Sequence, residues 1–584
     1  MNRFTLFFIC FVVAYAQIRW SLDGVRISES DDNQRNAVCV SDMNGGAIVV
    51  WEDNRYNWNY SDIWAQRVDS SGNRLWQVGG VPVCTAAYQQ EFLAICSDGA
   101  GGAIVAWQDY RNPTGPDIYA QRIDGNGNCL WQADGVPVCT AARGQQQIEI
   151  VSDGASGAII IWQDSRNGVS LPLYAQRIDA GGNAKWQSNG VAICTTAANC
   201  WYPSAVTDGV NGAYLVWHSG LYWSQYHQDI FFQHIDSSGN YLLPWTGRMI
   251  VGDTAMQQFP KIVRSIEKTF IVVWVDGRNA STTKSDIYAL RIDTLGNPLW
   301  DSTGLPVCTA DSTQDCSFSN LVPDGLGGAM ICWWDQRNGN PDVYAQRIDM
   351  NGNRLWGLNG VPVCSLPGTQ WEGPGISDDS MGVIFKWPDD RNDLYEEYLQ
   401  RIGPDGIERW TPQGVRACTV SVGPRAGGMA LCTDGRGGAI TAWTDPRYDT
   451  FDLDIWGQRV NDGHSPAIKE AMVIDDIEDL VLEVYPNPFR NHCVIKYALS
   501  TMDYATENRV PSAYSILPTI RIYDATGRLV RDLSRLMVNG KCSTVSWSGD
   551  DDSGKQLPAG VYFCRLEVKE RALTKKIILL KEAR

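Results

Sequence analysis

The sequence predicts an all-β chain, an eight-bladed β-propeller closed by its own N-terminal strand and followed by a small immunoglobulin-like β-sandwich. Three observations predict it. First, one unit of roughly 55 residues recurs eight times between Trp20 and Val460, a period that belongs to solenoids, arrays and propellers. Its clearest copy runs SDGAGGAIVAWQDYRN (97–112), DIYAQRIDGNGNCLW (117–131) and GVPVCTA (135–141). Second, each unit reads as four short strands rich in Val, Ile, Trp and Tyr, separated by Gly, Asn and Asp turns, and helical periodicity is absent. Third, the last unit stops at Val460 without its LW…GVPV strand, which Arg19-Trp20 through Gly24-Val25-Arg26-Ile27 supply instead. That exchange closes a ring and removes an exposed sheet edge, whereas a linear solenoid would carry polar caps.

The elements follow in order. Residues 1–16 read as a signal peptide: Arg3, an apolar run from Leu6 to Val13, and Ala14-Tyr15-Ala16 before Gln17. Residues 17–461 are the propeller. A first anchor tryptophan recurs at Trp51, Trp107, Trp162, Trp217, Trp274, Trp333, Trp387 and Trp443, and a second at Trp20, Trp76, Trp131, Trp186, Trp245, Trp300, Trp356 and Trp410. Residues 462–479 form a linker, and 480–584 a separate all-β unit. No segment after the signal peptide approaches the length of a transmembrane helix, so export is expected. A formal net charge of −17 argues against nucleic-acid binding, which needs a basic footprint, and suits an extracellular solute.

Within the unit, W-x-D-x-R recurs as Trp107/Asp109/Arg111, Trp162/Asp164/Arg166, Trp274/Asp276/Arg278, Trp333/Asp335/Arg337 and Trp387/Asp389/Arg391, with further copies at Trp51/Asp53/Arg55 and Trp443/Asp445/Arg447. In extended backbone these three side chains share one face of the sheet. An Asp–Arg pair suits a ligand clamp or a catalytic pair, but sevenfold recurrence points to a joint between blades. The arginines of the AQRID strand (Arg67, Arg122, Arg177, Arg291, Arg347) are expected as second partners of the same carboxylates.

Seventeen cysteines in an exported chain suggest disulfides, yet Cys84, Cys139, Cys194, Cys308, Cys364 and Cys418 share one slot on the fourth, outermost strand. Cys39, Cys96 and Cys432 lie on the first, innermost strand, about 14 Å away within one sheet and beyond disulfide reach. Most are therefore expected as buried thiols packing as small hydrophobes, with Cys194–Cys200, Cys308–Cys316 and Cys542–Cys564 as the local pairs available. None has the Cys/His clustering of a zinc site. Asp124-Gly125-Asn126-Gly127-Asn128 has the look of a calcium loop but lacks a distal acidic ligand, and reads as a hairpin turn. No metal or cofactor is expected.

The segment after W-x-D-x-R differs in every unit (YNWNYS, PTGP, ASTTKS, YDTFDL) and emerges on the face that carries the blade-to-blade links, where function should lie. Unit four breaks the pattern most: after Trp217 it reads His218-Ser219-Gly220-Leu221-Tyr222-Trp223-Ser224-Gln225-Tyr226-His227 and loses both Asp and Arg. Trp217, His218, Tyr222, Trp223, Tyr226 and His227 are therefore the candidate ligand-binding residues, since clustered aromatic rings stack on a sugar or another ring. The alternative is drift, with aromatics filling the volume left by the missing pair.

In the C-terminal unit, Tyr485-Pro486-Asn487-Pro488-Phe489, Ile522-Tyr523-Asp524 with Gly527 and Leu529-Val530, Gly560-Val561-Tyr562-Phe563, and Lys575-Lys576-Ile577-Ile578-Leu579 resemble the C-terminal sorting domain of type IX-secreted bacterial proteins. The stretch from Trp547 through Ser553-Gly554-Lys555 to Leu566 is equally similar to the immunoglobulin-like domain of the flagellar hook-capping protein. The resemblance implies a secreted or bacterial cell-surface location and the secretion machinery as a partner. The propeller units are similar to DIYAQR-type repeats of large exported bacterial proteins, a resemblance that implies no defined activity.

The expected function is a non-catalytic, exported binding or adhesion protein whose partner is a carbohydrate or a surface protein. The alternatives are a secreted polysaccharide-active glycosidase or lyase, for which no acid/base pair stands out in the sequence, and a structural surface component.

Overall fold

Every regular element among the described residues is a β-strand, as runs of Val, Ile, Trp and Tyr broken by Gly and Asn dictate. The computed structural model describes residues 17–584 apart from 31, 195–198, 221–227, 253–254, 282–283, 319–320, 393–394, 419–429, 450–451, 462–479, 486, 490–491, 500–518, 525–527, 534–542, 553–554, 569–570 and 581–584. The expected signal peptide and linker lie outside these residues. The chain divides into two compact units, Met1–Ser465 and Pro466–Arg584.

The first unit holds eight antiparallel sheets among the described residues. Sheet 1 is Gln34–Ser41, Ala47–Asp53, Asp62–Val68 and Val81–Cys84, each strand paired with the next in sequence, and sheets 2 to 7 repeat that order. Sheet 6 has its first strand split into Gln314–Asp315 and Val322–Pro323. Sheet 8 is completed by the N-terminus: Gln17–Ile18 and Val25–Arg26 pair antiparallel with Asp452–Asn461, with Gln17 opposite Asn461 and Val25 opposite Gly457.

Second strands such as Ala103–Asp109 are buried at every residue, because each sheet has another packed on both faces. Eight apolar clusters lie between successive sheets, and one of them joins Trp20 and Ile27, beside Ala430 and Ile440 of sheet 8, to Ala37 and Val49 of sheet 1. The last sheet thus packs on the first, and the fold is propeller-like. The glycine before each fourth strand has a steric cause. Gly135 has φ +87°, and a Cβ there would sit 2.5 Å from the Trp107 ring.

The second anchor tryptophan ties one sheet to the next, but not in sheet 4, where the expected anchor Trp245 is 54% exposed and Leu243 takes the slot, its N–H donating to Gln233 Oε1 as that of Trp131 does to Gln121 Oε1. Trp131 Nε1 donates to Ala180 O at 3.0 Å, and Arg122 Nη1 donates to the same carbonyl at 3.3 Å. Across the closing seam, Trp20 Nε1 and Arg459 Nη1 donate to Ser70 O at 3.2 and 2.9 Å.

W-x-D-x-R forms one joint in seven sheets. Trp107 Nε1 donates to Asp109 Oδ2 at 2.8 Å, and Arg111 grips that carboxylate with Nε and Nη2 at 2.8 and 2.6 Å. In all seven the guanidinium also lies 3.5–4.1 Å over a Tyr or Trp ring of the third strand. The AQRID arginines do not join it, contrary to expectation. Arg67, Arg122, Arg177 and Arg347 pair with Asp42, Asp98, Asp153 and Asp324 of the DG turn, and Arg291 donates to Thr269. The register explains this: Arg122 stands opposite Ile104, beside the DG turn, while Asp109 is at the other end of that strand.

The fourth-strand thiols are more polar than expected. Arg111 Nη2 donates to Cys84 Sγ at 3.3 Å, and Arg166 to Cys139 at 3.2 Å, so each thiol completes the joint of the following sheet. Burial pushes the Cys84 thiol up to about 12. Cys194 and Cys200 form a disulfide, whereas Cys308, Cys316 and Cys564 are free thiols, which corrects the second expected local pair; Cys542 lies outside the described residues.

Among the described residues the second unit has a three-stranded sheet (Leu480–Tyr485, Cys493–Leu499, Ser543–Trp547) and a four-stranded one ordered Leu529–Asp532, Thr519–Asp524, Gly560–Val568, Arg571–Leu579. Leu482, Ile495 and Trp547 of the first share a core with Ile522, Leu566 and Ile577 of the second. Asn487 joins the YPNPF segment to the last strand: its amide donates to Lys576 O at 2.7 Å and accepts from Ile578 N at 2.9 Å.

Candidate ligand-binding site

The strand registers put first-strand starts, second-strand ends and the links between sheets at one end of the ring, since Gln90 stands opposite Asp109 and Ser97 opposite Ala103. The variable loops open there. At unit four, Trp217 is 0% exposed and stacks on Phe231 at 5.9 Å. His218 is 2% exposed; its Nδ1 accepts from Phe259 N at 3.1 Å and its ring stacks on Tyr202 at 5.6 Å. Burial lowers its pKa to about 3, so the ring stays neutral at physiological pH. Neither residue offers an open ring. Tyr222, Trp223, Tyr226 and His227 lie outside the described residues.

The volume left by the missing Asp and Arg is occupied by a disulfide. Ser219 takes the Asp register opposite Cys200, and Ser219 Oγ donates to Asn199 O at 3.0 Å. Cys194, in the fourth-strand slot whose thiol elsewhere meets the arginine, bonds to Cys200.

Open aromatic rings are found instead between sheets 1 and 2. A cavity of about 300 Å³ is lined by Tyr60, Tyr88, Gln89, Tyr110, Asn112, Pro113 and Gly115. Tyr60 and Tyr88 are 40% and 55% exposed and meet edge to face at 5.7 Å. Trp58, two residues before Tyr60, is 80% exposed.

Local structure positions these rings. Asn57 organises the 54–61 loop: its carbonyl accepts from Tyr60 N at 3.1 Å and its side-chain oxygen from Asn59 N at 2.9 Å. Ser61 then clasps the link to sheet 2 by exchanging hydrogen bonds with the Gln90 backbone, Ser61 Oγ to Gln90 O at 2.7 Å and Gln90 N to Ser61 O at 2.8 Å. Tyr110 N donates to Gln89 O at 2.9 Å, fixing the third ring. Burial, then the charge and hydrogen bond of Glu91, push the Tyr110 phenol up to about 12, so it remains a neutral donor. Gln89 Nε2 donates to the same Glu91 carboxylate. Ring faces beside amides and a phenol are what a sugar ring with hydroxyl edges requires.

Sequence reasoning missed this site because it followed the broken motif. The available signal was aromatic residues in loop slots that hold none in neighbouring units: Tyr88 stands where unit three has Arg143, and Tyr110 where it has Ser165. Two carboxylates were also missed. Glu372 is buried, and burial followed by the charge of Asp315 pushes it up to about 8. Its chain neighbour Trp371 is exposed, its Nε1 donating to the Tyr395 hydroxyl at 3.4 Å. The Asp124 turn spends its carboxylate on its own backbone, Oδ1 accepting from Asn126 N at 2.8 Å and Asn128 N at 2.9 Å. Among the described residues, no group of three or more His, Cys, Asp or Glu is arranged to hold a metal ion.

No curated protein matches the chain. Solved structures similar to it include a protein of unknown function from Dyadobacter fermentans, 8% identical with a TM-score of 0.36, covering 76% of this chain and 99% of its own. An ulvan lyase is 9% identical with a TM-score of 0.41, covering 66% of this chain and 97% of its own. The α-L-arabinofuranosidase of Fusarium graminearum is 11% identical with a TM-score of 0.31, covering 56% and 98%. Residues 483–580 match the model of the secretion system C-terminal sorting domain. That match implies interaction with the type IX secretion machinery. This chain therefore ends in a type IX secretion C-terminal sorting domain, and the protein is secreted or held at the cell surface.

Proposed function

We propose that the exported protein is a non-catalytic binding or adhesion module that takes a carbohydrate between sheets 1 and 2. Residues 17–461 then act as an eight-bladed β-propeller presenting variable loops. They are preceded by a signal peptide (1–16), and a linker (462–479) leads to an immunoglobulin-like sorting domain (480–584). The observation that carries the reading is the pair of open rings, Tyr60 and Tyr88, which meet edge to face in a cavity also lined by Gln89 and Asn112. A site at unit four would rest on Tyr222, Trp223, Tyr226 and His227, because Trp217 and His218 are buried.

A glycan array probed with the full secreted chain tests this. A bound glycan should be lost, about tenfold or more in affinity, in Tyr88→Ala, while stability changes by no more than about 0.5 kcal/mol. Binding that survives Tyr88→Ala and Tyr60→Ala together would remove the site. One observation favours the enzymatic alternative: Glu372, raised to about 8, holds its proton at neutral pH as a general acid must, with Asp315 as a neighbouring carboxylate. Polysaccharide cleavage by the parent, abolished in Glu372→Gln, would decide for that reading.

A further inference from the structure

Successive sheets meet along their first strands through one repeated pair of side chains. Alternation sends neighbouring residues of a strand to opposite faces, and the register is the same in each unit. Val40, opposite Ile48, faces sheet 2 and shares a core cluster with Ile95. The same two positions hold Cys96 and Ile150 between sheets 2 and 3, and Val206 and Ile262 between sheets 4 and 5. Only between sheets 8 and 1 are both positions cysteine: Cys432, opposite Ile440, and Cys39, opposite Val49, lie in one cluster. Both are buried free thiols. At this seam the first three strands of sheet 8 hold the N-terminal strand and sheet 1 by non-covalent contacts alone, because the chain ends of the ring meet there.

We infer that Cys39 and Cys432 are a redox modification site, joined in the exported protein by a disulfide that closes the ring covalently. The oxidant is a carrier disulfide of the export compartment. One thiol, as its thiolate, attacks the carrier and releases a first carrier thiol; the second then displaces the carrier from the mixed disulfide and releases another. Two cysteine thiols and one carrier disulfide become one protein disulfide and two carrier thiols, with two electrons passing to the carrier. Neighbouring Cys39, and burial, hold the Cys432 thiol well above its ordinary range, so the exchange belongs to folding, before the seam is sealed. A link spanning nearly the whole ring restricts the unfolded chain more than any local bridge.

Full-length protein collected from the medium or cell surface without reductant, alkylated under denaturing conditions and digested, is expected to yield a peptide pair linking Cys39 to Cys432. Recovery of both as alkylated thiols, or of either linked to another cysteine, overturns the inference. Cys39→Val restores the kind of aliphatic contact used at other seams and keeps the test independent of folding failure. It should melt several degrees below the parent, and the gap should close in reductant. A gap that persists in reductant assigns the cysteines to packing alone.

Discussion

Sheets 4 and 8 depart from the repeat in opposite ways. Sheet 8 is built from both ends of the ring, yet it keeps every joint. Trp443 Nε1 donates to Asp445 at 2.9 Å, Arg447 lies 3.5 Å over Trp456 and donates to Asp23 O at 3.0 Å, and Trp20 reaches sheet 1. Sheet 4 is continuous in sequence but has lost the Asp and Arg, and holds its place with the Cys194–Cys200 bridge and the packing of Tyr202, His218 and Phe259. The ring therefore selects for contacts between sheets and not for an unbroken chain. A missing ion pair is tolerated where a covalent bond and an aromatic stack replace it.

The largest effect is expected at sheet 8. Deleting Gln17–Ile27 removes buried Trp20 and Ile27 and exposes the edge of Asp452–Asn461, at a cost of roughly 5 kcal/mol or more. Aggregation or a collapsed melting temperature would be seen by size exclusion and calorimetry; a stable monomer would break the equivalence of sheet 8 with the others. Next is Asp109→Ala, which strands the Arg111 guanidinium and the Trp107 indole and should cost about 3 kcal/mol. The matching change in sheet 4, Ser219→Ala, should cost no more than about 1 kcal/mol. Equal losses in chemical denaturation would contradict the replacement of that joint by a bridge. Cys194→Ser should then cost about 2 kcal/mol, the worth of a short-loop disulfide.

The smallest effect is one of pH. Folding depresses the His218 pKa to about 3, so the unfolded chain, titrating near 6.5, binds the proton first. The resulting stability is complete above pH 6.5 and is lost as the pH falls towards 3, by roughly 1 kcal/mol at pH 5.5. Gln occupies this position in units two and three, as Gln108 and Gln163, so His218→Gln should flatten the acid limb of the melting profile. An unchanged profile would show that His218 is not dehydrated as the structure has it.

The strands, their order and the N-terminal completion of sheet 8 were legible because period, turn residues and phase are local properties of a repeated unit. The Asp–Arg pairing of W-x-D-x-R was legible for the same reason, being two residues apart on one strand. The partner of Arg122 was not: Asp98 and Asp109 stand at opposite ends of a hairpin, and only the register separates them. Nor was the aromatic cavity, because Tyr60, Tyr88 and Tyr110 come from three segments that only the packing of sheet 2 on sheet 1 brings together.

By itself, then, the sequence determined an all-β ring of repeated sheets, the strand that closes it and the sorting domain that exports it, because hydrophobic period and motif spacing are written along the chain. Tertiary structure alone decided which side chains face one another across the seams: Arg111 with Cys84, Cys39 with Cys432, Tyr60 with Tyr88. The physical reason is that such contacts depend on strand register and on which face of a sheet each residue occupies, and those are set only when one sheet packs against the next.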